Sequence, residues 1–393
     1  MISAGEIRKL SEKYFSKVIA IRRHLHSHPE LSFQEYATSE YVCSILRDLK
    51  IEFKSGIAGT GIIAHINGKN PESGLKAFRA DLDALPIHEK NEVEYKSCNT
   101  GVMHACGHDV HTACLLGAAM ILQETRDKWK GTIRMIFQPG EEQLPGGASL
   151  MINEGALENP RPEFIIGQHV FPELEAGKVG FRKGMYMAST DELFLTVKGK
   201  GGHAALPSQY TNPILIAASI LLRLQNEFMH PEIQHPAPTV LAFGKIEGAG
   251  ATNVIPSEVK LEGTFRTMNE TWRTIAHERM MEIASSVAAE FGGSVDFEIK
   301  KGYPFLVNDL STTQMMIDSA REYLGAENVV ELDLRMTAED FAWYSQVLPS
   351  CFYRLGTRNE SKGIISPVHT ATFDVDENAM LTGMGLLAFA ASR

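Results

Sequence analysis

Thr132-Ile133-Arg134-Met135-Ile136-Phe137-Gln138-Pro139-Gly140-Glu141-Glu142 reads as a strand that stops at a proline–glycine turn and delivers two adjacent carboxylates. A helix from about Asp109 to Asp127 leads into it, and Glu163–Gln168 and Lys178–Arg182 look like further strands beyond it. Upstream lie short β-rich segments at 61–66 and 75–80, and before them amphipathic helices at 6–28 and 34–49, broken at His28-Pro29-Glu30. Strands alternating with helices indicate an α/β domain with a mostly parallel sheet covered by helices on both faces. In such sheets ligands bind beyond the carboxyl ends of the strands. Glu141, Glu142 and His169 are expected at such ends.

The pattern changes near residue 187. Leu193–Lys198 reads as a strand, Asn212–Phe228 as a helix, Thr239–Ile246 and Glu258–Arg266 as strands, Trp272–Phe291 as a helix and Ser294–Ile299 as a strand. That β-α-β-β-α-β order is a complete ferredoxin-like unit, so residues 187–301 are expected to form an inserted satellite domain. The first pattern then resumes, with a helix near 311–324, a strand near 329–333, a short helix from about 339, a strand near 351–355 and a closing helix from Asp376. The catalytic domain is therefore expected to be discontinuous, made of residues 1–186 and 302–393.

With 393 residues, 44% hydrophobic and 22% charged, the composition is that of a globular protein of two domains. A net charge of −10 with no basic run argues against nucleic-acid or anionic-membrane partners. The 5 cysteines show no paired framework, residues 1–20 hold no secretory apolar core, and no apolar run is long enough to span a bilayer. A cytoplasmic protein is expected.

Met103-His104-Ala105-Cys106-Gly107-His108-Asp109-Val110-His111 places a thiol and an imidazole on either side of a glycine just before a helix. A lone buried cysteine is usually a small hydrophobe. Here, among three histidines and an aspartate, metal ligation by Cys106 and His108 is the better account. With a glutamate from the 141–142 pair, such a set suits zinc, manganese, cobalt or nickel rather than calcium or magnesium. One glutamate can bind metal while its neighbour acts as general base, and the residues alone leave open which does which. His169 and His369, each taken alone, are more often hydrogen-bonded structural histidines than ligands. Asp81 and Asp83 could orient ligating imidazoles or cap a turn. His24, His26 and His28 are spaced so as to scatter around a helix and are expected to be solvated or capping. In the satellite, Gly199 to Pro207 is a glycine-rich turn presenting His203, and Asn253 and Arg266 flank one strand; Arg266 could hold a carboxylate or form a surface salt bridge.

Taken together, these segments resemble the aminoacylase-like metallo-amidohydrolases, a family that includes hippurate hydrolases, N-acyl-amino-acid amidohydrolases, auxin–amino-acid conjugate hydrolases and N-acetyldiaminopimelate deacetylases. The resemblance runs from Arg22-Arg23-His24-Leu25-His26 and Pro29-Glu30-Leu31 through 79–86, 103–111 and 201–207 to Ala338-Glu339-Asp340-Phe341 and 369–377. It implies two divalent metal ions (manganese, zinc, cobalt or nickel) held by Cys106, His108, Glu142, His169 and His369, with Glu141 as base. It further implies that His203 polarises the amide carbonyl from a partner subunit of a satellite-mediated homodimer, and that Asn253 and Arg266 bind the substrate carboxylate. The implied activity is hydrolysis of small-molecule N-acyl-L-amino acids to a carboxylic acid and a free amino acid. The rival readings are a dipeptidase or carboxypeptidase with the same dinuclear centre, and a non-catalytic metal-binding protein. Two departures stand out: Arg79-Ala80-Asp81 replaces the wider superfamily's His-x-Asp, and Gly140 with the insertion Gln143-Leu144-Pro145 replaces an alanine and a plain glycine run. The second is expected to reshape the acyl pocket.

Overall fold

The computed structural model describes residues 2–393, and the chain divides into two compact units. The first holds residues up to Tyr186 together with Val307–Leu334 and Asp340–Arg393; the second holds Met187–Leu306 and Arg335–Glu339.

The first unit opens with α1 (Ala4–Ser27), α2 (Tyr36–Asp48), β1 (Glu52–Ile57), β2 (Gly61–Asn67) and β3 (Leu75–Asp81). After a long connection come α3 (His108–Glu124), β4 (Thr132–Gln138), β5 (Phe164–Glu175) and β6 (Val179–Phe181). The second unit follows with β7 (Asp191–Lys198), α4 (Pro213–Met229), β8 (Thr239–Glu247), β9 (Glu258–Thr267), α5 (Glu270–Glu290) and β10 (Ser294–Lys301). The chain returns to the first unit as α6 (Leu310–Leu324), β11 (Val329–Glu331), β12 (Ser350–Arg358) and α7 (Ala379–Ala391).

The 8-stranded sheet of the first unit runs β1-β2-β4-β3-β5-β12-β6-β11. Its inner strands β4, β3, β5 and β12 are all parallel. Antiparallel pairing enters only outside them, where β2 meets β4 and β1, and where β6 meets β12. The inner strands are apolar and buried along most of their length, as parallel strands covered on both faces must be. The helix α3 is buried at every position from His108 to Leu122. It lies on β2, β3 and β5 and packs against α1 and α7, so it has no solvent face to mark with polar residues.

β1 was not foreseen. Its side chains are mostly exposed, and only antiparallel pairing with β2 makes it a strand. β5 runs well beyond the expected end at Gln168, because β12 continues to pair with it after β3 has left. His169 is thus inside a strand, at the point where one neighbour departs. The helix expected from about 339 is confined to Ala342–Ser345, since Asp340 is used as a hydrogen-bond anchor.

The second unit has the β-α-β-β-α-β order, with a 4-stranded sheet β8-β9-β7-β10. All its pairings are antiparallel. Alternation along β7 turns Leu193, Leu195 and Val197 inward against Ile216 and Ile220 of α4 and Met280 of α5. Asn212, Asn269 and Asp309 start α4, α5 and α6 by accepting amide hydrogens of the first turn.

Candidate metal centre

The carboxyl ends of the parallel strands build the site. β3 leads to Asp81 and Asp83, β4 to Glu141 and Glu142, and β5 presents His169. Cys106 and His108 bracket Gly107, the N-cap of α3, which has φ 82°. A Cβ on Gly107 would lie 2.6 Å from Val170 Cγ2, so both the turn and the close approach of β5 require glycine there. His369 comes from the loop before α7. It has φ 62° although it is not glycine, and its amide donates to Ala105 O at 2.8 Å. That bond ties the loop to the residue before Cys106.

These side chains converge. Cys106 Sγ lies 3.4 Å from His169 Nε2 and 3.3 Å from His369 Nε2. Glu142 Oε1 is 3.3 Å from His369 Nε2 and 3.9 Å from His108 Nε2, and Glu141 Oε2 is 4.0 Å from His108 Nε2. Cys106–His108–His169, Cys106–Glu142–His369 and His108–Glu141–Glu142 are among the sets whose ligand atoms lie within 4.8 Å of one another. Cys106, His108 and Glu142 each belong to two of these three.

The rings are aimed by their other nitrogens. His108 Nδ1 donates to Asp83 Oδ1 at 3.2 Å and His169 Nδ1 to Val170 O at 2.8 Å, which turns both Nε2 atoms into the cluster. His111 is different: its Nδ1 donates to Asp81 at 2.6 Å and its Nε2 accepts from Val170 N at 2.9 Å, so neither nitrogen is left for a ligand. Asp83 Oδ2 also accepts from Glu142 N at 3.0 Å, fixing imidazole and glutamate together.

A cation fits this set. His108 Nε2 and Glu142 Oε1 are buried atoms without a hydrogen-bond partner, which is costly unless another ligand completes them. Burial pushes the Cys106 thiol well above its ordinary value, and Glu142 and Glu141 push it further. Burial works against a charged His108 ring, yet Asp81 and Asp83 lift it to about 10. The two shifts share one contribution, a crowd of carboxylates short of positive charge. A divalent ion held by Cys106 and His108 would supply that charge in place of both protons.

The neighbouring charges are all employed. Buried Arg79 pairs with Asp81 and, at 2.7 Å, with Asp340, and donates to Gln138 at 2.9 Å. Arg79 is therefore a buried structural cation. His26 corrects an expectation. It is wholly buried, with Nδ1 2.8 Å from Asp109 and Nε2 3.3 Å from Glu89, because Arg22 and Asp109 draw α1 against the start of α3. Of the other two histidines, His28 caps α1 through His24 O at 2.9 Å.

In the second unit, His203 and Asn253 come together. His203 pairs with Val254 in a two-stranded ladder, and Ala204 N donates to Asn253 O at 3.1 Å. His203 Nδ1 accepts from Ala205 N at 3.1 Å, which leaves the ring proton on Nε2. Arg266 stands apart from them, on β9 opposite Val240, with one nitrogen 3.3 Å from Met336 O. Asp340 had no role in the sequence reading beyond its motif, yet it accepts from Gln138, Arg79 and the Ala148 amide and donates its own amide to Glu141 Oε1 at 3.3 Å. Glu35 carried no sequence signal at all; only the fold brings it to the Glu141–Glu142 turn.

A cluster of Cys, His and Glu side chains able to hold metal at the carboxyl edge of a parallel sheet, with a carboxylate beside it, is a layout suited to a metal-dependent hydrolase. The chain belongs to the peptidase family M20/M25/M40, whose profile matches residues 77–393. It is 41% identical over 303 residues to the N-acyl-L-amino acid amidohydrolase of Geobacillus stearothermophilus, covering 77% of this chain and 81% of that one. Thermostable carboxypeptidase 2 of Saccharolobus solfataricus is 38% identical, over 93% of this chain and 92% of its own. Among solved structures, the YXEP protein of Bacillus subtilis, described as a dinuclear metal binding peptidase of the M20 family, superposes with TM-score 0.80 at 32% identity, covering 97% of this chain and 98% of that one.

Proposed function

We propose that this chain hydrolyses the linear amide bond of N-acyl-L-amino acids, releasing a carboxylic acid and a free amino acid. The observation that carries this is the convergence of Cys106, His108, Glu142, His169 and His369 with Glu141 beside them. Those five residues would hold two divalent ions of manganese, zinc, cobalt or nickel, since a thiolate and three imidazoles suit such metals better than calcium or magnesium. When bound, the ions supply Lewis acidity and lower the pKa of water. Glu142 faces Cys106 and His369 and is the ligand of the pair; Glu141, steadied by the Asp340 amide, is the base. Its carboxylate takes a proton from the attacking water and returns it to the departing nitrogen. His203 donates from Nε2 to the amide oxygen as negative charge builds there. Asn253, which lies beside His203, would hold the substrate carboxylate together with Arg266 of the other chain of the homodimer.

The satellite would also join two copies into a homodimer, with His203 serving the partner's site. In support, the outer side of α4 leaves Leu215 57% and Leu222 67% exposed. Light scattering should give twice the chain mass, and Leu222→Glu should give one chain mass with reduced turnover. The 5 cysteines are all unpaired, which suits the reducing cytoplasm proposed for this protein. Among the described residues, no helix is long and apolar enough to cross a membrane.

The likeness to a carboxypeptidase keeps a second reading alive, cleavage of a peptide bond by the same centre. Amine release from N-acetyl, N-benzoyl and indole-acyl amino acids, set beside release from dipeptides, separates the two. The protein is first stripped of metal, and each ion is then added back. Metal-dependent release from the acyl series is expected. Release from dipeptides alone would transfer the proposal to peptides, and no release from either series, with metal bound, would overturn it.

A further inference from the structure

The turn that carries Glu141 and Glu142 is gripped from below by the segment after Pro29-Glu30-Leu31, which the proposed chemistry does not use. Glu35 is wholly buried at the start of α2. One carboxylate oxygen, Oε1, accepts from Phe33 N at 2.9 Å and from Gly140 N at 2.8 Å. The other accepts from Thr60 Oγ1 at 2.7 Å. Phe33 and Gly140 both have left-handed backbone, with φ 64° and 58°. Their two turns interlock: a Cβ on Gly140 would stand 2.3 Å from Phe33 Cε1. With the Phe33 ring where it is, there is no room for a side chain at position 140. The same segment reaches the centre a second way, because Ser32 Oγ donates at 2.6 Å to Asp83, which binds both His108 and the Glu142 amide.

We propose that Glu35 is a positioning residue for the hydrolytic centre: by bridging the Phe33 and Gly140 amides, its carboxylate sets the direction in which Glu141 and Glu142 leave the sheet. It touches neither substrate nor metal ligand and acts through one backbone amide. A glutamine can do the same, with its carbonyl oxygen on the two amides and its NH2 donating to Thr60 Oγ1. An aspartate cannot, because its carboxylate is withdrawn by one methylene. This assignment rests on the roles given above to Glu141 and Glu142.

The test compares wild type, Glu35→Gln and Glu35→Asp by three readouts: Mn²⁺ affinity of the metal-stripped proteins, hydrogen exchange of the segment containing Gly140, and kcat and KM separately. Glu35→Asp should weaken Mn²⁺ binding and lower kcat by about 10- to 100-fold with KM little changed, and should speed exchange at Gly140. Glu35→Gln should restore all three. A merely structural role would lower the melting temperature and leave kcat and Mn²⁺ affinity of the folded protein alone. Folded Glu35→Asp with wild-type affinity, kcat and exchange overturns the proposal, as does a Glu35→Gln variant equally impaired. If Glu35→Asp does not fold, Thr60→Val takes its place: faster exchange at Gly140 with weaker Mn²⁺ binding upholds the proposal, and unchanged values overturn it. A wild type that binds Mn²⁺ but releases no amine would sink the reading of the reaction, while the Mn²⁺ and exchange measurements still decide the role of Glu35.

Discussion

Glu141 and Glu142 are neighbours in the chain with different surroundings. Glu142 has its amide tied to Asp83 and its carboxylate turned to His369 and His108, whereas Glu141 is 6% exposed and receives the Asp340 amide. Glu141→Gln keeps the shape and removes the proposed proton acceptor. It should lower kcat by about 10²- to 10⁴-fold and leave metal content, read by elemental analysis, at the wild-type level. Loss of metal in this variant would mean that the two glutamates have exchanged roles. The adjacent pair was visible in the chain, but the difference between its members was not, because it depends on Asp83 and Asp340, which lie far away in sequence.

At the scale of elements, α1 is locked to α3 by charge. Arg22 is wholly buried, with Nε 2.8 Å from Asp109 and Nη2 2.8 Å from Asp374. Arg22→Met removes the cation and leaves buried Asp109 with only the His26 ring of the partners named here, and breaking a buried pair in this way costs about 3–5 kcal/mol. Urea unfolding should show a loss of that size, and a loss under 1 kcal/mol would mean that α1 is held by its apolar face alone. A second element-scale effect lies between β2 and β4, where Arg134 donates to His65 Nε2 at 2.9 Å across the ladder. Burial, and then the Arg134 charge, lower His65 to about 4. Since the folded value lies below the unfolded one of about 6.5, this histidine's contribution is full above pH 6.5 and is lost as pH falls from there through 4. The stability difference between wild type and His65→Gln should therefore shrink over that interval. A His65 proton resonance titrating near 6.5 would refute the assignment.

The whole molecule has two cores, one in each unit. The larger gathers residues such as Phe78, Leu116 and Phe389, and the smaller gathers Leu195, Ile220 and Met280. The residues of the proposed metal site, Cys106, His108, Glu142, His169 and His369, belong to the first unit. Binding to the folded state alone stabilises by about 2.7 kcal/mol at a hundredfold excess of ligand over Kd. Hydrogen exchange should show Mn²⁺ slowing the opening of β3, β4 and α3 while β7 and β9 stay unchanged. Equal slowing in both units, or in neither, would contradict a centre confined to the first.

Much of this protein can be read from local chemistry. The inner strands and α3 are apolar runs of the right length, the βαββαβ unit has its own alternation and capping residues, and Cys106-Gly107-His108 announces a ligand turn. These features depend on neighbours within a few positions, and that is why one chain suffices to see them. Tertiary structure decided the rest. β1 is a strand only through its pairing, and β5 extends only because β12 runs beside it. His111 is withdrawn from the ligands by Asp81 and Val170, and His26 is buried by Arg22 and Asp109. The division of labour between the glutamates and the grip of Glu35 on Gly140 come from contacts across 59 to 199 residues of chain. Such contacts are made when the sheet closes, and a hydrogen bond formed that way has no spacing in the sequence to betray it.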